Sequence, residues 1–299
     1  LDLSGNNLGG SITNIGNLTS LKGLMLQNNN FSGAIPDLSL MTDLDTLYLQ
    51  NNSLTGTLPS SLSLLTGLQV IKVQGNALVG AIPSSLLSLT NLVSSGSDLS
   101  YNGLYTADTS LRNFLNTKQA GNDWEATQTA PPEGISAAEV DASSIDLTWT
   151  PIQYSGATGG YEIYYSTTPG SGYQLAGTLT DKWAGSYTVT GLDPATTYYF
   201  VIKSFTDSHI DNANSIMSDD SVEVSAATAD NLSVTVSTPN GGEDFIIGTP
   251  IFISWTSTGT MPEVAIEYTS DNGMSWHMIS DWEPNDGSYD WLAPSPPSS

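Results

Sequence analysis

The sequence predicts a mainly β chain in three consecutive parts: a solenoid with short helical or irregular backs and a helical carboxy-terminal cap, then two β-sandwiches. Three observations carry this. Leu24-x-Leu26-x-x-Asn29-x-Phe31-x-Gly33-x-Ile35-Pro36 recurs in register at 47–59 and 71–83. The asparagines at 6, 29, 52, 76 and 102 stand 23, 23, 24 and 26 residues apart, a period that signals stacked coils. From about Ala130 the period vanishes, and short alternating strands separated by Gly, Pro, Asp and Ser clusters take over.

Within each coil, period-2 alternation turns Leu24 and Leu26 to the core and Met25 to the open, concave side. Apolar residues three apart close the back of the coil: Leu18, Leu21 and Leu24; Met41, Leu44 and Leu47; Leu65, Leu68 and Ile71. Asn6, Asn29, Asn52, Asn76 and Asn102 fall where the chain leaves the strand. An amide there can both donate to and accept from backbone groups that would cost about 1–3 kcal/mol each if buried unpaired, so their role is structural. This pattern is identified as a leucine-rich repeat array of about five repeats, and its Gly-x-Ile-Pro segment resembles the plant-type subclass. The resemblance implies a second short strand on one flank, tight turning at Gly33, Gly56 and Gly80, and backs starting at Pro36, Pro59 and Pro83. The fifth unit departs: Ser97 replaces the first leucine, residues are inserted around 94–96, and Gly-x-Ile-Pro is missing. Asp108 and Thr109 then precede Leu111, Phe114 and Leu115, the spacing of a short amphipathic cap helix. Asn122 and Trp124 follow, the latter an aromatic for the cap, and the solenoid is expected to span 1–128.

In 129–229, Ile145-x-Leu147-x-Trp149, Tyr161-x-Ile163-x-Tyr165 and Tyr187-x-Val189 read as strands. With Leu192, Pro194 and the run from Tyr198 to Ile202, they resemble a fibronectin type III domain. That resemblance implies Trp149 between two sheets and Tyr198 as a tyrosine corner. No Arg-Gly-Asp occurs. In 230–296, Gly248, Trp255, Tyr268, Trp291 and Pro294 resemble a small Ig-like module of bacterial extracellular proteins, related to Kre9/Knh1-type surface proteins. Trp255, Trp276 and Trp291 are expected to be structural, and Thr269-x-Asp271-x-Gly273-x-Ser275-Trp276 resembles the Asp-box hairpin of sialidases. Residues 297–299 read as the start of a linker. The chain opens inside a repeat without Met, so it reads as a fragment of a longer protein.

Six Lys and Arg against 30 Asp and Glu give a formal charge of −24, which repels nucleic acid and anionic lipid. Only 12% of residues are charged, so the acidity reflects scarce cations rather than acidic tails. Absence of cysteine removes disulfides, thiolate sites and cysteine nucleophiles. No stretch approaches the roughly 18 apolar residues of a membrane span, so direct membrane insertion is not expected.

Catalytic chemistry is not expected either. His209 and His277 lie in different modules, and no Gly-x-Ser-x-Gly elbow occurs. Gly156-x-x-Gly159-Gly160 lies between strands, has no helix to receive phosphate, and reads as a loop. The two acidic loops, Asp207, Asp211, Asp219 and Asp220, and Asp281, Glu283, Asn285 and Asp286, miss the EF-hand pattern and read as solvated turns. No cofactor or metal is expected.

The concave face offers columns on a rigid scaffold. One reads Asp2, Met25, Tyr48, Lys72 and Asp98; the next reads Ser4, Gln27, Gln50, Gln74 and Ser100. Met25, Gln27, Tyr48, Gln50, Lys72, Gln74 and Asp98 form the candidate site for a protein or carbohydrate ligand, although the same residues also suit a sheet that is merely soluble. The expected function is non-catalytic recognition or adhesion in a secreted or surface protein, with the sandwiches as spacers. Accessory modules of a larger secreted hydrolase, or a plant receptor-like ectodomain, are the alternatives; the absence of paired cysteines counts against the latter.

Overall fold

A computed structural model describes residues 1–121, 123–246 and 248–292. Asn122, Pro294 and the linker at 297–299 lie outside the described residues. By contact the chain divides into two compact units. The first comprises Leu1–Ala138, Ile145–Val189 and Thr197–Ala226; the second comprises Glu139–Ser144, Thr190–Thr196 and the chain from Ala227 onward.

The solenoid of the first unit contains β1 (Gly9–Ser11), β2 (Gly23–Met25), β3 (Asn30–Ala34), β4 (Thr46–Tyr48), β5 (Ser53–Gly56), β6 (Val70–Lys72), β7 (Ala77–Ala81), β8 (Ser97–Asp98) and β9 (Gly103–Tyr105). Five coils give one strand each to a sheet of order β1-β3-β5-β7-β9, and the second to fifth give one each to a parallel sheet of order β2-β4-β6-β8, which the first coil joins only by a bridge from Asp2 to Met25. The flank strand expected from the repeat pattern is thus present, and it forms in the fifth coil too, where Gly103–Tyr105 pairs with β7 although Gly-x-Ile-Pro is missing. Short 3-10 turns follow Pro59 and Pro83, while the back after Pro36 is irregular. Gly33, Gly56 and Gly80 have positive φ, as tight turning requires.

Leu24, Leu26, Leu47, Leu49, Ile71 and Val73 are all buried and form the core spine with Met41, Leu44, Leu65 and Leu68. Full burial of each such side chain contributes about 1.5–3 kcal/mol. Leu18 differs from the expectation at 43% exposed, because its coil has a neighbour on one side only, whereas its counterparts Met41 and Leu65 lie between two coils. The helix α1 (Thr109–Lys118) starts where the Asp108 carboxylate accepts from the N–H groups of Ser110 and Leu111, at 2.9 and 3.2 Å. It buries Leu111 and Leu115, and Trp124 joins the same core fully buried.

The ladder asparagines work as their position suggests. Asn52, Asn76 and Asn102 each donate to the strand carbonyl of their own coil and of the preceding one, and each accepts from a flank-strand N–H at 3.0, 3.0 and 3.1 Å. Asn29 does the same, with acceptance from Leu8 at 2.9 Å. Asn6 is exposed and reaches only the Ser4 carbonyl of its own turn, since no coil stacks before it in this structure.

Eight strands make the first sandwich: β10 (Glu133–Asp141), β11 (Ser144–Thr150), β12 (Gly159–Ser166), β13 (Gln174–Leu179), β14 (Ser186–Thr190), β15 (Thr197–Thr206), β16 (Ile216–Met217) and β17 (Val224–Ala227). They form sheets of order β10-β11-β14 and β13-β12-β15-β16, with β17 on β15. Trp149 is buried, its ring centroid 5.2 Å from that of Tyr161. Tyr198 is buried beside Tyr165 and Phe200. Gly159 and Gly160 open β12 rather than lying in a loop; a Cβ on Gly160 would stand 1.8 Å from the Leu179 carbonyl oxygen, so the close strand approach demands glycine.

In the second unit, β18 (Ser233–Thr238), β19 (Pro250–Thr258) and β22 form one sheet, and β20 (Glu263–Tyr268) pairs with β21 (His277–Pro284). The closing strand β22 spans Ser288–Leu292. Ile251, Ile253, Trp255 and Ile266 make its core, with Trp291 packed against them. Trp255 donates its indole N–H to Asn285 Oδ1 at 2.7 Å. Trp276 departs from its expected structural role at 58% exposed. The turn before it closes on Asp271 instead, whose carboxylate accepts from the Ser275 N–H at 2.8 Å and from the hydroxyls of Ser275 and Thr269. Those bonds complete the hairpin turn without the indole.

Candidate functional site

The open face of the β2-β4-β6-β8 sheet is set by backbone register. Met25 pairs with Tyr48, Tyr48 with Lys72 and Lys72 with Asp98, while Asp2 bridges to Met25. The structure therefore brings the whole first column together. From the second coil on, alternation buries the neighbouring residues and leaves Met25, Tyr48, Lys72 and Asp98 half-buried on the face, while Asp2 is exposed. A third column, Gly23, Thr46 and Val70, shares the face two residues earlier in each coil and was not singled out from the sequence. The same period-2 rule that located Met25 and Gln27 also locates it.

Gln27, Gln50 and Gln74 stack beside this column, and their carbonyl oxygens are shielded from water yet have no hydrogen-bond partner. Lys72 makes no ion pair among the described residues, whereas Arg112 pairs with Glu125 at 2.8 Å and Lys203 with Asp220 at 3.2 Å. At the far end Asp98 is already engaged: its Oδ1 accepts from the Ser100 N–H and from the Gln119 amide at 3.2 and 2.9 Å. The free chemistry of the face is accordingly one cation, one phenol, one thioether and three amides.

Several other polar groups are engaged internally. His209 Nδ1 bonds the Asp207 carbonyl at 3.0 Å and Nε2 the Tyr154 hydroxyl at 2.8 Å, so neither ring nitrogen is free to serve a nucleophile. In the acidic loops, Asp219 accepts from Tyr105, Asp220 pairs with Lys203, Glu283 accepts from Ser280 and Asn285 from Trp255. Among the described residues no group of three or more His, Asp or Glu side chains converges as metal ligands. No described helix is long and apolar enough to cross a membrane.

Residues 130–215 match the fibronectin type III domain family, and residues 43–65 match the leucine-rich repeat family. The chain therefore contains leucine-rich repeats and a fibronectin type III domain in a mainly β framework. Among solved structures it is similar to the leucine-rich repeat ectodomain of the Arabidopsis receptor kinase HAESA in complex with an N-terminally extended IDA peptide hormone. That likeness has 41% identity over 39% of this chain and 20% of that one, with a TM-score of 0.36. It is also similar to the BIR3–SERK2 complex of Arabidopsis thaliana, with 39% identity over 35% of this chain, 55% of that chain and a TM-score of 0.31. An Fn3-like protein from Clostridium thermocellum is 25% identical over 33% of this chain and 93% of its own, with a TM-score of 0.27. The chain spans 55% and 13% of the first two receptor structures it matches. No curated protein matches it.

Proposed function

We propose that this chain is a non-catalytic extracellular recognition protein whose leucine-rich repeat sheet binds a protein ligand. The helix at Thr109–Lys118 closes the solenoid, the fibronectin type III domain follows, and the C-terminal strands make an Ig-like module. The observation that carries this reading is the unbroken register of Met25, Tyr48, Lys72 and Asp98 beside the column of Gln27, Gln50 and Gln74. Tyr48 supplies contact area at low entropic cost, Met25 adds an adaptable apolar contact, and a lone unpaired lysine supplies selectivity. A protein suits the face better than a glycan because Tyr48 is its one aromatic, too few for sugar rings to stack in series.

The test begins with the intact chain screened against an array of purified extracellular proteins and neutral glycans. For a protein hit, Tyr48→Ala is expected to weaken binding about 30-fold, near 2 kcal/mol, as for an interface hot spot. Affinity unchanged in both Tyr48→Ala and Lys72→Ala places the site elsewhere.

A further inference from the structure

The loop between β15 and β16, residues 207–215, is fastened to the solenoid through the carbonyls of successive ladder asparagines. Asn214 Nδ2 donates to the Asn52 carbonyl at 2.7 Å and Asn212 Nδ2 to the Asn76 carbonyl at 2.8 Å. In the next coil the Asn102 carbonyl accepts from the Thr129 N–H at 2.8 Å. Asn212, 2% exposed, also donates to the Tyr101 carbonyl at 2.8 Å, and its own Oδ1 accepts from Asn214. His209 and Asn212 exchange two backbone hydrogen bonds, at 2.8 and 3.1 Å, which hold the loop in one shape. Below it, the Thr129 and Thr206 hydroxyls meet at 2.6 Å, and the Tyr101 ring packs edge-on against Tyr154 and His209.

The repeat sequence itself is altered where this loop lies. The turn after each strand needs a left-handed residue, filled in successive coils by Gly5, Asn28, Asn51, Gly75 and Tyr101 at φ 66, 56, 55, 66 and 55°. Asn51 donates to Asn28 at 2.8 Å, a second asparagine ladder on the open turns. It stops at Gly75, where a Cβ would stand 2.7 Å from Asn51 Oδ1 and 3.1 Å from the Asp211 carbonyl oxygen, so the glycine makes room for both the neighbouring turn and the loop.

We infer that the fibronectin type III domain is no freely hinged spacer: its 207–215 loop is a latch on the third to fifth coils, so solenoid and domain open and unfold as one body. The latch fixes the direction in which the domain carries the repeat sheet, whatever ligand that sheet takes. A run of Asp, Ser, His and Asn without the latch would be a mobile loop.

Hydrogen exchange on the intact chain tests this, with two variants. Asn212→Ala with Asn214→Ala removes the donors. Gly75→Asn suits the left-handed φ, which Asn51 already adopts, and crowds the Asp211 carbonyl, while the flexible end of the Asn51 side chain moves aside. In the parent, amides at 207–215 should exchange slowly, and calorimetry should show solenoid and domain unfolding in one transition. Both variants should speed loop exchange about tenfold or more while amides of β4 and β12 stay protected. Free-loop exchange in the parent, separate transitions in the parent, or protection retained in either variant overturns the latch.

Discussion

The Gln128 side chain accepts from the Leu104 N–H at 3.0 Å and donates to the Leu99 carbonyl at 2.8 Å. Those are the two kinds of bond each ladder asparagine makes, so Gln128 is the last rung, set one coil beyond Asn102. Its second donation goes to the Trp124 carbonyl at 3.1 Å, which ties the buried indole's backbone to the terminal coil.

Gln128→Ala is therefore expected to destabilise the chain by about 2 kcal/mol or more, because it leaves buried backbone groups unpaired on both sides. Urea unfolding followed by circular dichroism measures it. A loss below about 0.5 kcal/mol would mean that water replaces the amide, and the end of the solenoid would then be looser than described.

The ladder was legible in the sequence because one residue type recurs at a fixed step, and the core leucines because alternation is a local rule. Gln128 went unread although its step from Asn102 is 26 residues, the same as from Asn76 to Asn102. Admitting glutamine as an equivalent amide would have found it. The columns of the open face were legible for the same local reason as the core. Trp276 was misplaced because an Asp-box fixes a turn through Asp271 and leaves the fate of its indole to the surrounding strands. The latch was out of reach, since Asn212 and Asn76 stand 136 residues apart. Its trace was there all the same, in Tyr101 breaking a turn column otherwise filled by asparagine and glycine.

Trp149 anchors the fibronectin type III core against Tyr161. Trp149→Ala should cost roughly 3–5 kcal/mol through lost burial and the cavity left behind. Thermal unfolding of the intact chain, read through β12 and β15 by hydrogen exchange, should show those strands opening at a lower temperature than in the parent. A melting temperature close to the parent's would remove Trp149 from the core.

Lys182 lies beneath the latch, 5% exposed, with its ammonium donating to Thr206 Oγ1 at 2.8 Å and facing the Tyr154 ring at 4.3 Å. No carboxylate forms an ion pair with it among the described residues. Burial lowers its pKa from 10.5 to about 8, with the more distant Asp207 opposing that shift. The unfolded chain thus binds the extra proton between these values, and stability should rise as pH climbs from about 8 toward 10. Above that, tyrosines act in the opposite sense: burial, helped by the charges of Tyr101 and Asp211, pushes Tyr154 up to about 12, so stability falls as the unfolded chain ionises first. Lys182→Met should stabilise the chain by about 1–3 kcal/mol at pH 7 and abolish the rise. Denaturant midpoints at pH 7, 8, 9 and 10 check both, and a parent profile that is flat or falling across that range would show that the ammonium is adequately solvated.

Tyr101 holds a left-handed φ of 55° that its counterparts fill with asparagine or glycine. For a tyrosine this conformation costs roughly 1–2 kcal/mol. Its ring meets His209 at 5.7 Å and Tyr154 at 5.8 Å, both edge-on, and such pairs contribute about 0.5–1.5 kcal/mol each. The two effects nearly offset, so Tyr101→Asn should change stability little in the parent. In a His209→Ala background one ring contact is already gone while the strain remains, and Tyr101→Asn should then turn stabilising. The cycle of single and double variants should accordingly show a coupling of about 1 kcal/mol between residues 101 and 209. Additive effects would mean that the tyrosine holds its strained turn through the Asn212 side-chain amide donating to its carbonyl, with the ring contributing nothing to the junction.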